Sequence, residues 1–139
     1  MADTRALIEQ YYSALNSDDL PGLLALLSDD VVHDVNQSHR EDGKLAFRAA
    51  FEHRRAHYDE QMVDRVICIN EDGSRAATEY RMQGHYLATE DGLPRATGQA
   101  YDLQAGAFFE IKNGEIKRVT SYCNRQEWIN QVSPLHDQS

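Results

Sequence analysis

GQAYDLQAGAFFEIKNGEIKRVTSYC, residues 98–123, is the stretch that decides the fold. Within it Tyr101, Leu103, Ala105, Ala107 and Phe109 fall on alternate positions, the two-residue period of a strand with one face on a core. Lys112-Asn113-Gly114-Glu115 then reads as a tight hairpin, because Asn-Gly tolerates the positive φ values that such turns need. Glu115 to Cys123 continues as a second strand. Two long strands joined this way, with no crossover helix between them, must be antiparallel.

Upstream, Met62 to Asn70 and Arg75 to Thr89 read as two more strands, joined by a hairpin at Glu71-Asp72-Gly73-Ser74 and followed by a looser connection, Glu90 to Thr97. On the second of these, Ala76, Thr78, Tyr80, Met82, Gly84 and Tyr86 form the inward set, against Ala77, Glu79, Arg81, Gln83 and His85. The first half of the chain has the other period. Leu7, Ile8, Tyr11, Tyr12 and Leu15 recur at three- and four-residue steps, predicting a helix from Thr4 to Asn16 capped by Asp3 or Thr4. Asp18 or Asp19 caps a short helix over Leu20 to Leu27, with Pro21 in its first turn, and Ser28-Asp29-Asp30 ends it. Val31 to Gln37 reads as a strand and Ser38 to Gly43 as a polar loop. Lys44 to Tyr58 is a third helix with an apolar stripe, its Arg48, Glu52, Arg54 and Arg55 forming a solvated face. Arg125 to Val132, with Trp128, is a last short helix.

Helices first and a strand meander after them give an α+β class. Strands this long curl, helped by Gly84, Gly98 and Gly106. The expected architecture is therefore a cone: a curved antiparallel or mixed sheet wrapped around three N-terminal helices, with a ligand pocket at its open mouth. One domain is expected over residues 1–132, with a frayed polar tail over 133–139.

The chain has 139 residues, 41% of them hydrophobic, and 14 basic against 23 acidic groups give a net charge of −9. That field repels phosphate backbones and anionic membrane surfaces, so neither nucleic acid nor membrane is an expected partner. No apolar run could span a bilayer, and the N-terminus lacks a signal-peptide order, so a cytoplasmic location is expected. Cys68 and Cys123 lie in apolar or aromatic stretches and read as buried, reduced thiols. Phosphate loops, Cys-x-x-Cys pairs and nucleophile elbows are missing, and no cofactor is expected. His53 and His57, four apart on the third helix, have a spacing that can hold a metal, with His33, His39 or His85 as further ligands. Helical histidine pairs are common by chance and no carboxylate can be assigned to orient them, so they read as solvated and no metal is expected.

Tyr11-Tyr12-Ser13-Ala14-Leu15-Asn16-Ser17-Asp18-Asp19-Leu20, continuing through Leu23-Leu24-Ala25-Leu26-Leu27-Ser28-Asp29-Asp30-Val31, resembles the opening of the ketosteroid isomerase and SnoaL-like families of the nuclear transport factor 2 superfamily. The order of elements fits as far as Phe108-Phe109-Glu110-Ile111-Lys112-Asn113-Gly114-Glu115-Ile116. His33-Asp34-Val35-Asn36-Gln37 is similar to the first strand of steroid-isomerase-related proteins. The resemblance implies a small, mostly apolar ligand, isomerase, cyclase or hydratase chemistry without a cofactor, and a homodimer formed through the outer sheet face.

In ketosteroid isomerases a first-strand carboxylate moves the proton, while a helix tyrosine and a neutral aspartic acid stabilise the dienolate. Tyr11 matches the tyrosine. Asp34 matches the base when aligned backward from Gly43, whereas counting forward from Asp30 puts Val35 there. The acid position falls on Ala107 or Phe108, so a donor worth roughly 3 kcal/mol is missing and steroid isomerisation is not expected.

Asp34 and His33 are thus the candidate bases, with Asp34 pictured as a buried carboxylate of raised pKa. Adjacent strand residues face opposite sides, so only one of the two enters the pocket unless a bulge intervenes; Asn36 goes with Asp34, and Val35 and Gln37 go with His33. Tyr11 and Tyr122 are candidate oxyanion donors. Tyr80, Tyr101, Tyr122, Asn36 and Trp128 are candidate ligand contacts, Trp128 as a lid. Two other readings stand beside the enzyme: a binding module without chemistry, and a dimerisation domain presenting Arg81, Gln83 and His85.

Overall fold

The computed structural model describes residues 3–36 and 39–134; Gln37 and the tail from residue 135 onward lie outside the described residues. The elements are α1 (Thr4–Asn16), α2 (Leu20–Ala25), β1 (Leu27–Val35), β2 (His39–Asp42), α3 (Lys44–His57), β3 (Tyr58–Ile69), β4 (Arg75–Tyr86), β5 (Gln99–Lys112), β6 (Glu115–Cys123) and α4 (Arg125–Val132). The strands form one curved, unclosed six-stranded sheet in the order β2-β1-β6-β5-β4-β3. All neighbours are antiparallel except β1 and β6, which run parallel. This is the α+β class and the mixed, wrapped sheet that the sequence predicts.

The helix caps follow from local chemistry. Asp3 accepts from the Ala6 amide, Asp19 from the Gly22 amide and Asn124 from the Glu127 amide, each satisfying a first-turn donor that has no intrahelical partner. β4 and β5 alternate as expected, with Ala76, Thr78, Tyr80, Met82 and Tyr86 buried on one strand and Tyr101, Leu103, Ala105, Ala107 and Phe109 on the other.

Several boundaries differ from the sequence reading, and β4 ends at Tyr86 rather than Thr89. α2 stops at Ala25, and β1 begins at Leu27, four residues before the expected start. Leu27 pairs with Ile116 and Val32 with Arg118, with a register shift between them that absorbs Ser28-Asp29-Asp30 as an irregular strand. The segment read as a loop over Ser38 to Gly43 contains β2, a polar edge strand held by complementary pairs. His33 lies opposite Glu41, and Asp34 opposite Arg40. β3 starts at Tyr58, because α3 passes straight into extended backbone there (φ −138°, ψ 143°) without a loop.

Of the residues read as a solvated face, Arg54 is solvated but also reaches inward, and Arg55 is half-buried. Arg54 turns inward to Glu60, and Arg55 donates to the Leu15 carbonyl. The cysteine reading also changes. Cys68 is exposed and Cys123 half-buried, and both are free thiols. Among the described residues, no helix is long and apolar enough to cross a membrane.

Gly84 is required by close approach. A Cβ there would lie 2.7 Å from the Tyr101 hydroxyl and 2.7 Å from the Asp59 carbonyl. Gly84→Ala is therefore expected to cost about 1–3 kcal/mol by overpacking. Urea midpoints of the two proteins check this; an unchanged midpoint would contradict it.

Candidate functional site

The wrapped sheet and α1, α3 and α4 enclose a cavity of about 790 Å³, a volume suited to a small polycyclic molecule. Its walls are mostly apolar: Phe47 and Phe51 from α3, Met62 and Met82 from β3 and β4, Ala105 and Ala107 from β5, Val119 from β6. The alanines on β5 leave the space that larger side chains would fill.

His33 is the polar centre of the β1 wall. Its Nδ1 lies 3.0 Å from Glu41 Oε1 and its Nε2 lies 3.1 Å from Ser121 Oγ. A carboxylate only accepts, so the arrangement that satisfies both contacts has Nδ1–H donating to Glu41 and the Ser121 hydroxyl donating to Nε2. The ring packs against Phe47 with centroids 5.1 Å apart. Burial holds the His33 pKa below its ordinary value, and the Glu41 carboxylate opposes that shift without cancelling it. The imidazole is therefore neutral at pH 7, and its basic nitrogen accepts from Ser121, itself a residue of the cavity wall. Glu41 also meets His39 Nε2 at 3.0 Å.

Tyr11 and Tyr80 both line the cavity. Neither hydroxyl has a hydrogen-bond partner among the described residues, and neither is among the sealed orphan atoms, so both open onto the cavity. Burial, with Tyr80 as the second cause, raises the Tyr11 pKa, and burial pushes that of Tyr80 up to about 12. At neutral pH both remain O–H donors. Tyr12, beside them, is spent on structure, with its hydroxyl 2.6 Å from Thr78 Oγ1.

The β3 side carries a buried ion pair. Arg54 donates from Nε to Glu60 Oε1 at 2.9 Å and from Nη2 to Oε2 at 2.5 Å, and the Tyr101 hydroxyl donates to Oε2 at 2.5 Å. Burial would raise the Glu60 pKa, but the Arg54 guanidinium outweighs it and keeps the carboxylate ionised. The Arg54 side chain is 45% exposed against 1% for Glu60. It lines the cavity and sits 4.2 Å over the Tyr58 ring. Trp128 closes one end, edge-on to Tyr58, Tyr86 and Tyr101 at 5.9, 4.9 and 6.0 Å, with its Nε1 sealed and unpartnered.

The structure thus brings His33, Tyr11, Tyr80, Asn36 and Trp128 to one cavity. Asp34 is a correction. It lies on the outer face, where Arg40 Nε and Arg118 Nη2 each stand 2.9 Å from its carboxylate and Thr120 donates at 3.2 Å. The Arg40 hydrogen bond holds its pKa below the usual carboxylate value, the reverse of what a buried base needs.

Asn36 does not follow Asp34 outward. Its φ of 46° breaks the alternation at the end of β1, and its side chain accepts from the Cys123 amide. Tyr101 stands behind the wall, bonded to Glu60. Tyr122 borders the cavity, but its ring packs edge-on against Phe108 on the outer face at 5.8 Å. The inward residues of its strand are Val119, Ser121 and Cys123.

Glu41, Ser121, Arg54 and Glu60 escaped the sequence reading. The one legible sign was charge pairing. His33-Asp34 and Arg40-Glu41 form two complementary cross-strand pairs if the segment is folded as a hairpin rather than a loop.

Residues 8–119 match the SnoaL-like domain. Comparison with curated proteins gives no match. Among solved structures, a proposed polyketide cyclase from Pseudomonas putida KT2440 is 49% identical, covering 96% of this chain and 99% of that one, with a TM-score of 0.92. Proposed polyketide cyclases from Xanthomonas campestris pv. campestris and Silicibacter sp. TM1040 are each 45% identical, covering 94% of this chain and 96% of theirs, with TM-scores of 0.91 and 0.92.

Proposed function

Because the chain belongs to the SnoaL-like domain family, we propose that it is an acid–base enzyme of the cyclase or isomerase kind, acting with its own side chains on a small carbonyl compound. The observation that carries this reading is His33, neutral and oriented by Glu41, in the wall of an apolar cavity that also presents two free tyrosine hydroxyls. The relatives from P. putida, X. campestris and Silicibacter support a polyketide-like substrate, whose several carbonyls make its CH₂ groups acidic.

In the proposed reaction the substrate carbonyl oxygen accepts from Tyr11 or Tyr80. The Ser121 hydroxyl is a rotor, and turning it aside frees the Nε2 lone pair. His33 Nε2 then takes a proton from the carbon next to the carbonyl, and the C–H electron pair moves into an enolate held by the tyrosine donors. Glu41 keeps the imidazole in the required tautomer and stabilises the imidazolium that forms, as a carboxylate does behind any catalytic histidine. An isomerase returns the proton at another carbon. A cyclase instead attacks a second carbonyl with the enolate carbon, and the imidazolium protonates the new alkoxide.

Hydrogen–deuterium exchange at carbons next to the carbonyl, followed by NMR across a panel of aromatic and 1,3-dicarbonyl compounds, tests the reading. Exchange well above the buffer rate is expected with at least one compound that binds. Compounds that bind tightly without any exchange would replace the enzyme with a binding module.

We also propose a homodimer through the outer sheet face. Phe108 and Tyr122, 56% and 37% exposed, form a diagonal cross-strand aromatic pair there, an apolar patch among charged and polar residues. Sedimentation should give a dimer for the wild type and a monomer for Phe108→Glu. A monomeric wild type would remove the proposal.

A further inference from the structure

The geometry points to a divalent transition-metal site at the rim of the cavity, built from His53, His57 and Glu90. It uses none of the residues assigned to the His33 chemistry, so either proposal survives the failure of the other.

His53 and His57 stand one helical turn apart on α3, with their rings stacked 4.2 Å apart. Glu90, from the loop after β4, supplies a carboxylate beside them. One ligand atom from each of the three lies within 4.8 Å of the others. His53 Nε2 is 2.7 Å, and His57 Nε2 3.9 Å, from Glu90 Oε1. Bonds of about 2.0–2.1 Å in a tetrahedron place ligand atoms roughly 3.3 Å apart, and the two observed distances bracket that spacing.

Two of the ligands are oriented by a further contact, the mark that separates a built site from a chance cluster. His57 Nδ1 donates to the His53 carbonyl at 2.8 Å, which fixes the proton on Nδ1 and leaves the Nε2 lone pair for a metal. The Tyr58 hydroxyl donates to Glu90 Oε2 at 3.0 Å, so Oε1 is the oxygen turned toward the imidazoles. The Tyr86 hydroxyl accepts from the Glu90 amide at 2.9 Å and pins the loop.

Two imidazoles and one carboxylate suit zinc, cobalt or nickel rather than calcium or magnesium. Three protein ligands leave at least one open position. His53 and Glu90 line the cavity, so that position is within reach of an oxygen on a bound molecule.

Untagged protein, stripped with a chelator and dialysed, is titrated with Co²⁺ while visible absorption is followed, and then with Zn²⁺ as competitor. Saturation near one equivalent is expected, with the intense spectrum of four- or five-coordinate cobalt, bleached by zinc. His57→Gln and Glu90→Gln should each weaken binding at least about tenfold. His85→Gln, on the outer face, should not change it. His57→Gln keeps the His53–Glu90 contact, so its loss of binding cannot be put down to an untethered loop. A weak octahedral spectrum, no saturation, or equal binding by wild type and both variants would overturn the site and leave His53 and Glu90 as a plain hydrogen-bonded pair.

Discussion

Replacing His33 by glutamine is expected to lower kcat/KM by roughly 10²–10⁴-fold, the usual contribution of a positioned general base. Asp34→Asn, one residue along the same strand, is expected to leave kcat/KM near the wild-type value. The contrast follows from the two faces of β1. His33 and Val35 line the cavity, while Asp34 is bound outside by Arg40 and Arg118. Both variants must be shown to fold, and Asp34→Asn should cost no more than about 1 kcal/mol, because its partners are half exposed.

The pH profile separates a base from a packing residue. Burial depresses the His33 pKa, so the active neutral form persists below pH 6.5 and activity falls only as pH drops through the depressed value. Glu41 pushes that pKa upward, so Glu41→Gln should move the acid limb to still lower pH while slowing the reaction. The stability sign agrees. Between the two pKa values the unfolded chain binds a proton that the native state refuses, so this histidine makes stability rise with pH across that window. Loss of activity in Asp34→Asn equal to that in His33→Gln would break the assignment.

Arg54→Met should be the most destabilising of the changes considered. It leaves Glu60, 2% exposed, with Tyr101 as its remaining donor. Breaking a buried pair from one side costs about 3–5 kcal/mol, and the opening of Arg54 toward the cavity favours the lower end. For a chain of this size that is roughly 10 °C in Tm.

The pH dependence should also invert. In the wild type the lowered Glu60 pKa gives stability that is present above the ordinary carboxylate value and lost as pH falls through the depressed one. In Arg54→Met burial outweighs the remaining Tyr101 hydrogen bond and the Arg55 charge and raises the pKa, so the variant is least destabilised in acid and loses stability as pH rises. Arg54→Met with Glu60→Gln should recover much of the loss. Calorimetry from pH 4 to 8 reads all three proteins. No recovery in the double variant would show that Arg54 acts through packing rather than charge.

Much of the cone could be read from the chain because β4 and β5 obey a strict two-residue period and their turns carry Gly and Asn. Ala105 and Ala107 even marked where space would open. β2 could not be read this way, since His39-Arg40-Glu41-Asp42 has no apolar residue to set a phase, and it is held by charges on its neighbour instead. The same blindness hid the orientation of β1. His33 and Asp34 are both polar, and their facing was decided by pairing with Val119 and Thr120 of β6, far along the chain. The contact of Arg54 with Glu60 was hidden for a related reason. A helix pattern assumes a loop will follow, whereas α3 runs straight into β3 and carries its last turn over the cavity.

A ¹⁵N NMR titration of the His33 ring, run with and without a ligand that fills the cavity, reads the proposed base itself. A neutral ring at pH 7 is expected, with the proton on Nδ1, a pKa below 6.5, and an Nε2 shift that moves when ligand binds. A ring that is already charged at pH 7, or an Nε2 indifferent to ligand, would contradict the assignment.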